Sequence, residues 1–158
     1  IAEHISGSQE AFAELMNTEA KQLGATGTHF VNPHGLHDEN HYTTTYDLYL
    51  MFNEALKDQA FLDIISMNSY TAKVTSADGT SYTPTWQATN YYSAGEAAPP
   101  DGIHVYGGKT GTTDQAGNCV ILYEKNTAGE PYISVIMGAS DKPLLYEEMN
   151  ELLDAGMK

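Results

Sequence analysis

The feature that most constrains this chain is a change of hydrophobic period near residue 68. Before it, apolar residues recur at helical spacing. Phe12, Leu15, Met16, Ala20 and Leu23 fall at i, i+3, i+4, i+8 and i+11, one stripe of a helix beginning near Gln9. Ser6 or Ser8 supplies its N-cap, and Gly24 ends it as the residue past the C-cap. Thr44 opens a second helix, with Asp47 as capping partner three residues on and Leu48, Met51, Phe52, Ala55 and Leu56 on its buried face. Residues 60–65 predict a short third helix. Beyond them the pattern becomes β-branched and aromatic. Residues 70–75 and 81–86, joined across Asp78-Gly79, read as a hairpin. Residues 90–100 read as a loop, and residues 104–110, 118–124 and 132–137 as strands with short connections. A last helix over about 143–153 carries Leu144, Leu145, Met149, Leu152 and Leu153. Helices, then consecutive strands, then a helix predict an α+β fold with an antiparallel sheet packed against helices.

The 158 residues suffice for one domain with a real core. The expected layout is a helical part over about 1–68, the hairpin over about 70–86, and sheet strands with the final helix over about 103–156. The chain begins with Ile1 inside an apparent helical region, so it is expected to be cut from something longer, with any signal peptide already removed. No run of 18 apolar residues predicts a membrane span. Net charge is −14, from seven lysines, no arginine and 21 acidic residues. That balance argues against nucleic acid, whose binding needs clustered cations, and against an anionic membrane surface. A single cysteine, Cys119, leaves no internal disulfide and no cysteine-based zinc site. Set among Val120, Ile121 and Leu122, it reads as a small buried hydrophobe.

The stretch Tyr106-Gly107-Gly108-Lys109-Thr110-Gly111-Thr112-Thr113 is the chemically richest in the chain. Gly108-Lys109-Thr110 could end a phosphate loop, G-x-x-x-x-G-K-[ST]. The first glycine would then stand at position 103, which is Ile103, and Gly102 misses by one residue. A phosphate loop also runs directly into a helix, whereas residues 111–117 read as a turn into another strand. The alternative is Lys-Thr-Gly on a strand, the triplet of serine acyl-transferases that bind penicillin. A substrate peptide lies along such a strand. The lysine fixes a positive charge near the reacting centre, and the threonine hydroxyl holds a terminal carboxylate. A side chain in place of the glycine would block the peptide's approach.

Further segments carry the same resemblance in the same order. Residues 1–12, IAEHISGSQEAF, and Leu15-Met16-Asn17 resemble the helix that follows the second motif of the low-molecular-mass penicillin-binding proteins, the serine-type D-alanyl-D-alanine carboxypeptidases. Residues 28–36, THFVNPHGL, resemble that family's T-x-F-x-N-x-x-G-L stretch. Tyr42-Thr43-Thr44 and Asp47-Leu48 resemble the start of its next helix, and Thr89-Asn90 precedes the Lys-Thr-Gly strand. The resemblance spans almost the whole chain. It implies the penicillin-binding protein and serine β-lactamase-like fold. It also implies an extracytoplasmic enzyme of peptidoglycan metabolism, acting through an acyl-serine. Its partners would be stem peptides ending in D-Ala-D-Ala, and β-lactams; it implies no cofactor and no metal. By the same carry-over Lys109 is catalytic, Thr110 grips the terminal carboxylate, Gly111 gives clearance, and the backbone N–H of Thr112 serves the oxyanion hole.

The departures are equally specific. No serine has a lysine three residues later. Thr18 and Lys21 have that spacing, with the wrong hydroxyl and on the helix already assigned. Ser66-Met67-Asn68 matches the family's S-x-N by letters only, since that motif should precede the helix of residues 9–23. The chain thus resembles the C-terminal part of the domain, lacking its N-terminal part and the first two motifs. A non-enzymatic binding module on the same scaffold is the competing class. His34, His37 and His41, with Asp38 and Glu39, have the residue types of a zinc site, but the segment contains a turn and reads as a solvated polar loop. Tyr91 and Tyr92 precede the proline-containing loop and read as packing residues with wet hydroxyls ahead of a carbohydrate face.

Overall fold

The computed structural model describes residues 1–156. The helices are α1 (Ala2–Ser6), α2 (Gln9–Gln22), α3 (Thr45–Ala55), α4 (Gln59–Ile65), α5 (Tyr91–Ala94) and α6 (Lys142–Gly156). The strands are β1 (Ser69–Thr71), β2 (Val74–Thr75), β3 (Ser81–Tyr82), β4 (Thr85–Gln87), β5 (Ile103–Thr113), β6 (Gly117–Asn126) and β7 (Pro131–Ala139). All strand pairs are antiparallel, in two short ribbons (β1–β4 and β2–β3) and one sheet of order β5-β6-β7. The α+β architecture expected from the change of period is therefore present.

The helix ends follow their caps. Ser8, not Ser6, accepts from the Ala11 N–H at 3.0 Å, and Gly24 past the end of α2 takes φ 85°. Leu15, expected on the buried stripe, is instead 51% exposed; Ala13 and Ala20 are the buried residues of α2. Thr44 caps α3 by accepting from the Asp47 N–H at 3.1 Å. The buried Asp47 carboxylate accepts from Thr28 Oγ1 at 2.7 Å, so it ties the segment before α3 to the helix. The hairpin is interrupted between its two ribbons. Its register still runs Tyr70↔Trp86 and Val74↔Tyr82, with Pro84, which has no N–H, sitting in the gap and accepting from Ala72. Within residues 90–100, read as loop, the buried Asn90 caps the single turn of α5 by accepting from the Tyr92 N–H at 3.1 Å.

The core lies between one face of the three-stranded sheet and α6. Val120, Leu122, Ala139, Leu145, Tyr146, Met149 and Leu153 form it. Burying each large apolar side chain here is worth roughly 1.5–3 kcal/mol. Tyr91 stacks on Tyr146 with centroids 4.5 Å apart and planes at 6°, while the Tyr146 hydroxyl accepts from the Tyr91 N–H at 2.9 Å. Tyr92 donates to Asn150 Oδ1 at 2.8 Å. Both tyrosines are thus packing residues, and they clamp α5 to α6.

Glu124 points into this core from β6, on the face it shares with Val120 and Leu122, and is fully buried. Ser134 Oγ donates to its Oε1 at 2.6 Å, and its Oε2 has no hydrogen-bond partner among the described residues. Burial pushes the carboxyl up to about 7, against the smaller opposing effect of Ser134. The folded state therefore keeps a proton that the unfolded chain, with an ordinary value of 4.5, releases earlier. Stability from this group is fully present below about pH 4.5 and is lost as pH rises through about 7, by on the order of 3 kcal/mol. Urea unfolding at intervals from pH 4.5 to 8 should show a slope in that window that Glu124→Gln removes. An identical slope in both proteins would contradict the assignment.

Candidate functional site

Lys109, Thr110, Gly111 and Thr112 all stand on β5, an edge strand of the sheet. They pair in register with Ile121, Val120, Cys119 and Asn118 of β6. The other edge of β5 carries no strand among the described residues, so its backbone is available to an extended peptide. A register shift between Val105 and Gly107 marks a bulge at Tyr106 just upstream. Bulges of this kind re-aim the side chains that follow.

The glycines of this stretch serve different ends. A Cβ on Gly107 would lie 2.0 Å from the Ile65 carbonyl oxygen at the end of α4. A Cβ on Gly108 would lie 2.1 Å from the Ile121 carbonyl oxygen of β6. Packing demands both. Gly111 is the opposite case: a Cβ there meets nothing within 4 Å, and its φ is not in the left-handed region. Neither packing nor backbone conformation asks for glycine at 111.

The side chains around it are polar and mostly exposed. Thr110 Oγ1 and Thr89 Oγ1 share a hydrogen bond of 2.7 Å. Thr112 Oγ1 donates to Asn118 Oδ1 at 3.2 Å, and Asn118 Nδ2 donates to the Ala139 carbonyl at 3.2 Å. The Lys109 ammonium folds back onto the Thr110 carbonyl and has no carboxylate partner among the described residues. A cavity of about 360 Å³ lies beside these groups, lined by Thr89, Lys109, Thr110, Gly111, Thr112 and, from α6, Lys142. Sequence reasoning had Thr89 only as part of a resembling segment, and it missed Lys142, which no local pattern marks. Cys119 is half-buried rather than fully buried as expected; its partner across the ladder is Gly111, which has no side chain to cover it.

The remaining candidates lie elsewhere. Ser66 caps the end of α4 with its hydroxyl donating to the Leu62 carbonyl at 2.8 Å. Thr18 likewise donates to the Glu14 carbonyl on α2 at 2.8 Å, and Lys21 is exposed on that helix. In the histidine segment, His34 Nδ1 accepts from the Leu36 N–H and His41 Nδ1 from the Val31 N–H, each at 3.2 Å. Asn32 turns the same segment, accepting from the Gly35 N–H at 2.8 Å and donating to the Leu36 carbonyl at 3.0 Å. Among the described residues no three histidine, cysteine or acidic side chains converge as a metal site.

The family model described as D-alanyl-D-alanine carboxypeptidase (peptidase S11) matches residues 1–141. The chain is 30% identical over 154 residues to the D-alanyl-D-alanine carboxypeptidase DacF of Bacillus subtilis, covering 98% of this chain and 37% of that protein. It is 31% identical over 158 residues to the D-alanyl-D-alanine carboxypeptidase DacA of Haemophilus influenzae, covering 99% of this chain and 36% of that protein. The chain thus spans little more than a third of the length of these relatives. Among solved structures, the Streptomyces K15 DD-transpeptidase superposes with a TM-score of 0.83 at 26% identity, over 93% of this chain and 54% of that one. The fold is that of the penicillin-binding proteins and serine β-lactamases. With its Lys-Thr-Gly strand at a sheet edge and a family match over residues 1–141, this chain belongs to the D-alanyl-D-alanine carboxypeptidase family.

Proposed function

We propose that β5 is the substrate strand of a serine-type D-alanyl-D-alanine carboxypeptidase, which releases the terminal D-alanine of a peptidoglycan stem peptide through an acyl-serine. The observation that carries this reading is Gly111: a glycine with open space over its Cα, on an unpaired strand edge, between a lysine-threonine pair and a threonine. An extended peptide needs that clearance to take main-chain hydrogen bonds from the strand. Lys109 supplies positive charge and part of the hydrogen-bond network. Thr110 holds the substrate's terminal carboxylate, and the Thr112 backbone N–H points at the developing oxyanion. β-Lactams would occupy the same strand. The setting of the enzyme is extracytoplasmic; no helix among the described residues is long and apolar enough to cross a membrane.

The 158 residues hold no serine followed three positions later by lysine. The nucleophile and its base therefore come, in this proposal, from chain outside these residues, in the N-terminal part of the domain. The second reading, a non-catalytic binding module on the same scaffold, draws on the same observation. Intact-mass spectrometry after incubation with a reactive penicillin separates the cases. This chain alone should gain no mass, because covalent acylation needs an activated oxygen with a base in reach. The longer protein that contains it should gain one penicillin, and Lys109→Ala in it should slow acylation on the order of 10²-fold. Lys109→Arg should not fully restore the rate, since the planar guanidinium fills the space differently. An adduct on any serine of this chain alone would overturn the assignment of the nucleophile. A longer protein that stays unmodified would favour the binding module.

The glycines give a second test. Gly107→Ala should destabilise the chain by about 2–3 kcal/mol or more, since the new methyl overlaps the α4 backbone. Gly111→Ala should leave the unfolding midpoint within about 0.5 kcal/mol of the parent, as for a surface change, yet weaken binding of an acyl-D-Ala-D-Ala peptide. A Gly111→Ala protein of parental stability and undiminished binding would remove the reason for placing the peptide on this strand.

A further inference from the structure

The β1–β4 ribbon carries aromatic surface that neither the core nor the β5 site uses. Every residue of its two strands is exposed, so the pairing does not serve to cover the core. Tyr70 and Trp86 stand directly opposite each other across it. Their rings are nearly parallel, with planes at 12° and centres 6.4 Å apart, and they remain 55% and 53% exposed. Trp86 is the only tryptophan of the chain. The neighbouring pair, Thr71 and Thr85, points to the opposite face and closes there with a hydroxyl bond of 2.7 Å. A cross-strand aromatic pair adds roughly 0.2–1 kcal/mol to a ribbon. That accounts for the contact between the rings, but not for the recess beside them.

A cavity of about 640 Å³ opens at the two rings, and Ile64 and Met67 from the end of α4, with Ala88 beyond β4, give it apolar walls. That volume falls in the range of small-molecule sites. Ser69 and Gln87 complete the lining, and neither side chain has a hydrogen-bond partner among the described residues. No charged side chain among the described residues lines it. These features select a ligand chemistry. The faces of aromatic rings carry negative partial charge and attract C–H groups, which a sugar ring presents in a row on its own face. Apolar walls take the methyl of an acetamido group, and uncharged polar residues take its amide. Nucleic-acid bases also stack on aromatic rings, but a chain of net charge −14 with no cation at the site repels their phosphates.

We propose that the Tyr70–Trp86 face and its recess form a binding site for a neutral glycan of N-acetylated hexosamines. The identity of the glycan rests on the reading of this chain as part of a peptidoglycan carboxypeptidase, whose stem peptides hang from such a strand. The placement of the site adds a constraint. β4 runs through Ala88 into Thr89, whose hydroxyl meets Thr110. The end of α4 lies against Gly107, just before Lys109. The recess therefore borders the β5 site on its Gly107 side. A peptide with its carboxylate at Thr110 and its reacting carbonyl at Thr112 extends the other way. The glycan on the ribbon is thus a neighbouring strand, not the one that carries the bound stem peptide. Holding it keeps the enzyme on polymeric substrate while β5 exchanges one peptide for the next.

The test is an NMR titration of the isotopically labelled chain with the β-1,4-linked tetramer of N-acetylglucosamine. The Trp86 indole N–H and the amides of residues 67–71 and 85–88 report on the site. The tetramer should shift them saturably, and cellotetraose, which lacks the acetamido groups, should bind at least about fivefold more weakly. Tyr70→Ala and Trp86→Ala should each weaken the tetramer about tenfold or more, with the resonances of the α6 core unchanged. Trp86→Phe, which keeps a ring in the ribbon, should lose less. An acyl-D-Ala-D-Ala peptide added to the same chain reads β5 separately. Peptide shifts on β5 with no response to the tetramer overturn the glycan site alone. Tetramer shifts without peptide shifts overturn the β5 reading and leave the glycan site standing. Cellotetraose of equal affinity, or tetramer binding that survives both alanine variants, overturns the proposal. Broadening of the ribbon by neutral phosphatidylcholine vesicles, with no response to the tetramer, assigns the patch to a membrane surface and overturns it as well.

Discussion

Everything distinctive about this chain depends on how closely β5 is seated. Gly107 lets the strand lie against the last carbonyl of α4, and Gly108 lets it lie against the β6 backbone. A methyl group at either place would sit about 2 Å from a carbonyl oxygen. The bulge at Tyr106 then turns the strand into its exposed half, where Lys109 to Thr112 stand beside an open edge. Three glycines within five residues thus divide their work. Two press the strand into place, and the third keeps its outer surface clear.

The core supports that seating from the other side. The α6 helix packs Leu145, Tyr146, Met149 and Leu153 onto the sheet, and Tyr146 reaches across to hold α5 through Tyr91. The turn of α5 begins at Asn90, next to Thr89, whose hydroxyl meets Thr110. A packing contact in the core is therefore two covalent steps from a side chain of the candidate site. The same stack positions Lys142 at the cavity. The buried Glu124 stands in this core on β6, so its protonation bears on the element that backs the whole strand.

Much of this was legible in the sequence because it is local. Helical and alternating periods, Ser8 and Thr44 as caps, Gly24 as a terminator and Asp78-Gly79 as a turn are decided by residues a few positions apart. The family resemblance reached the Lys-Thr-Gly strand by its order of segments. What escaped the sequence depends on distant partners. Leu15 is exposed although it lies on the apolar stripe, because nothing among the described residues covers that side of α2. The Asp47 carboxylate was expected to complete the α3 cap, and its bond to Thr28 spans 19 residues. Asn90 starts a helical turn inside a segment whose glycine and prolines signal only a loop. The position of Lys142 follows from the path of β7 into α6, and no motif encodes that.

The central claim is that the free edge of β5 takes an extended peptide, with Gly111 as the point of closest approach. Backbone amide shifts of the isotopically labelled chain, followed during titration with an acyl-D-Ala-D-Ala peptide, test it most directly. The account predicts that the largest changes fall on residues 109–113, with smaller ones at Thr89 and at the start of α6. Saturable shifts confined to other surfaces, with β5 unmoved, would contradict it.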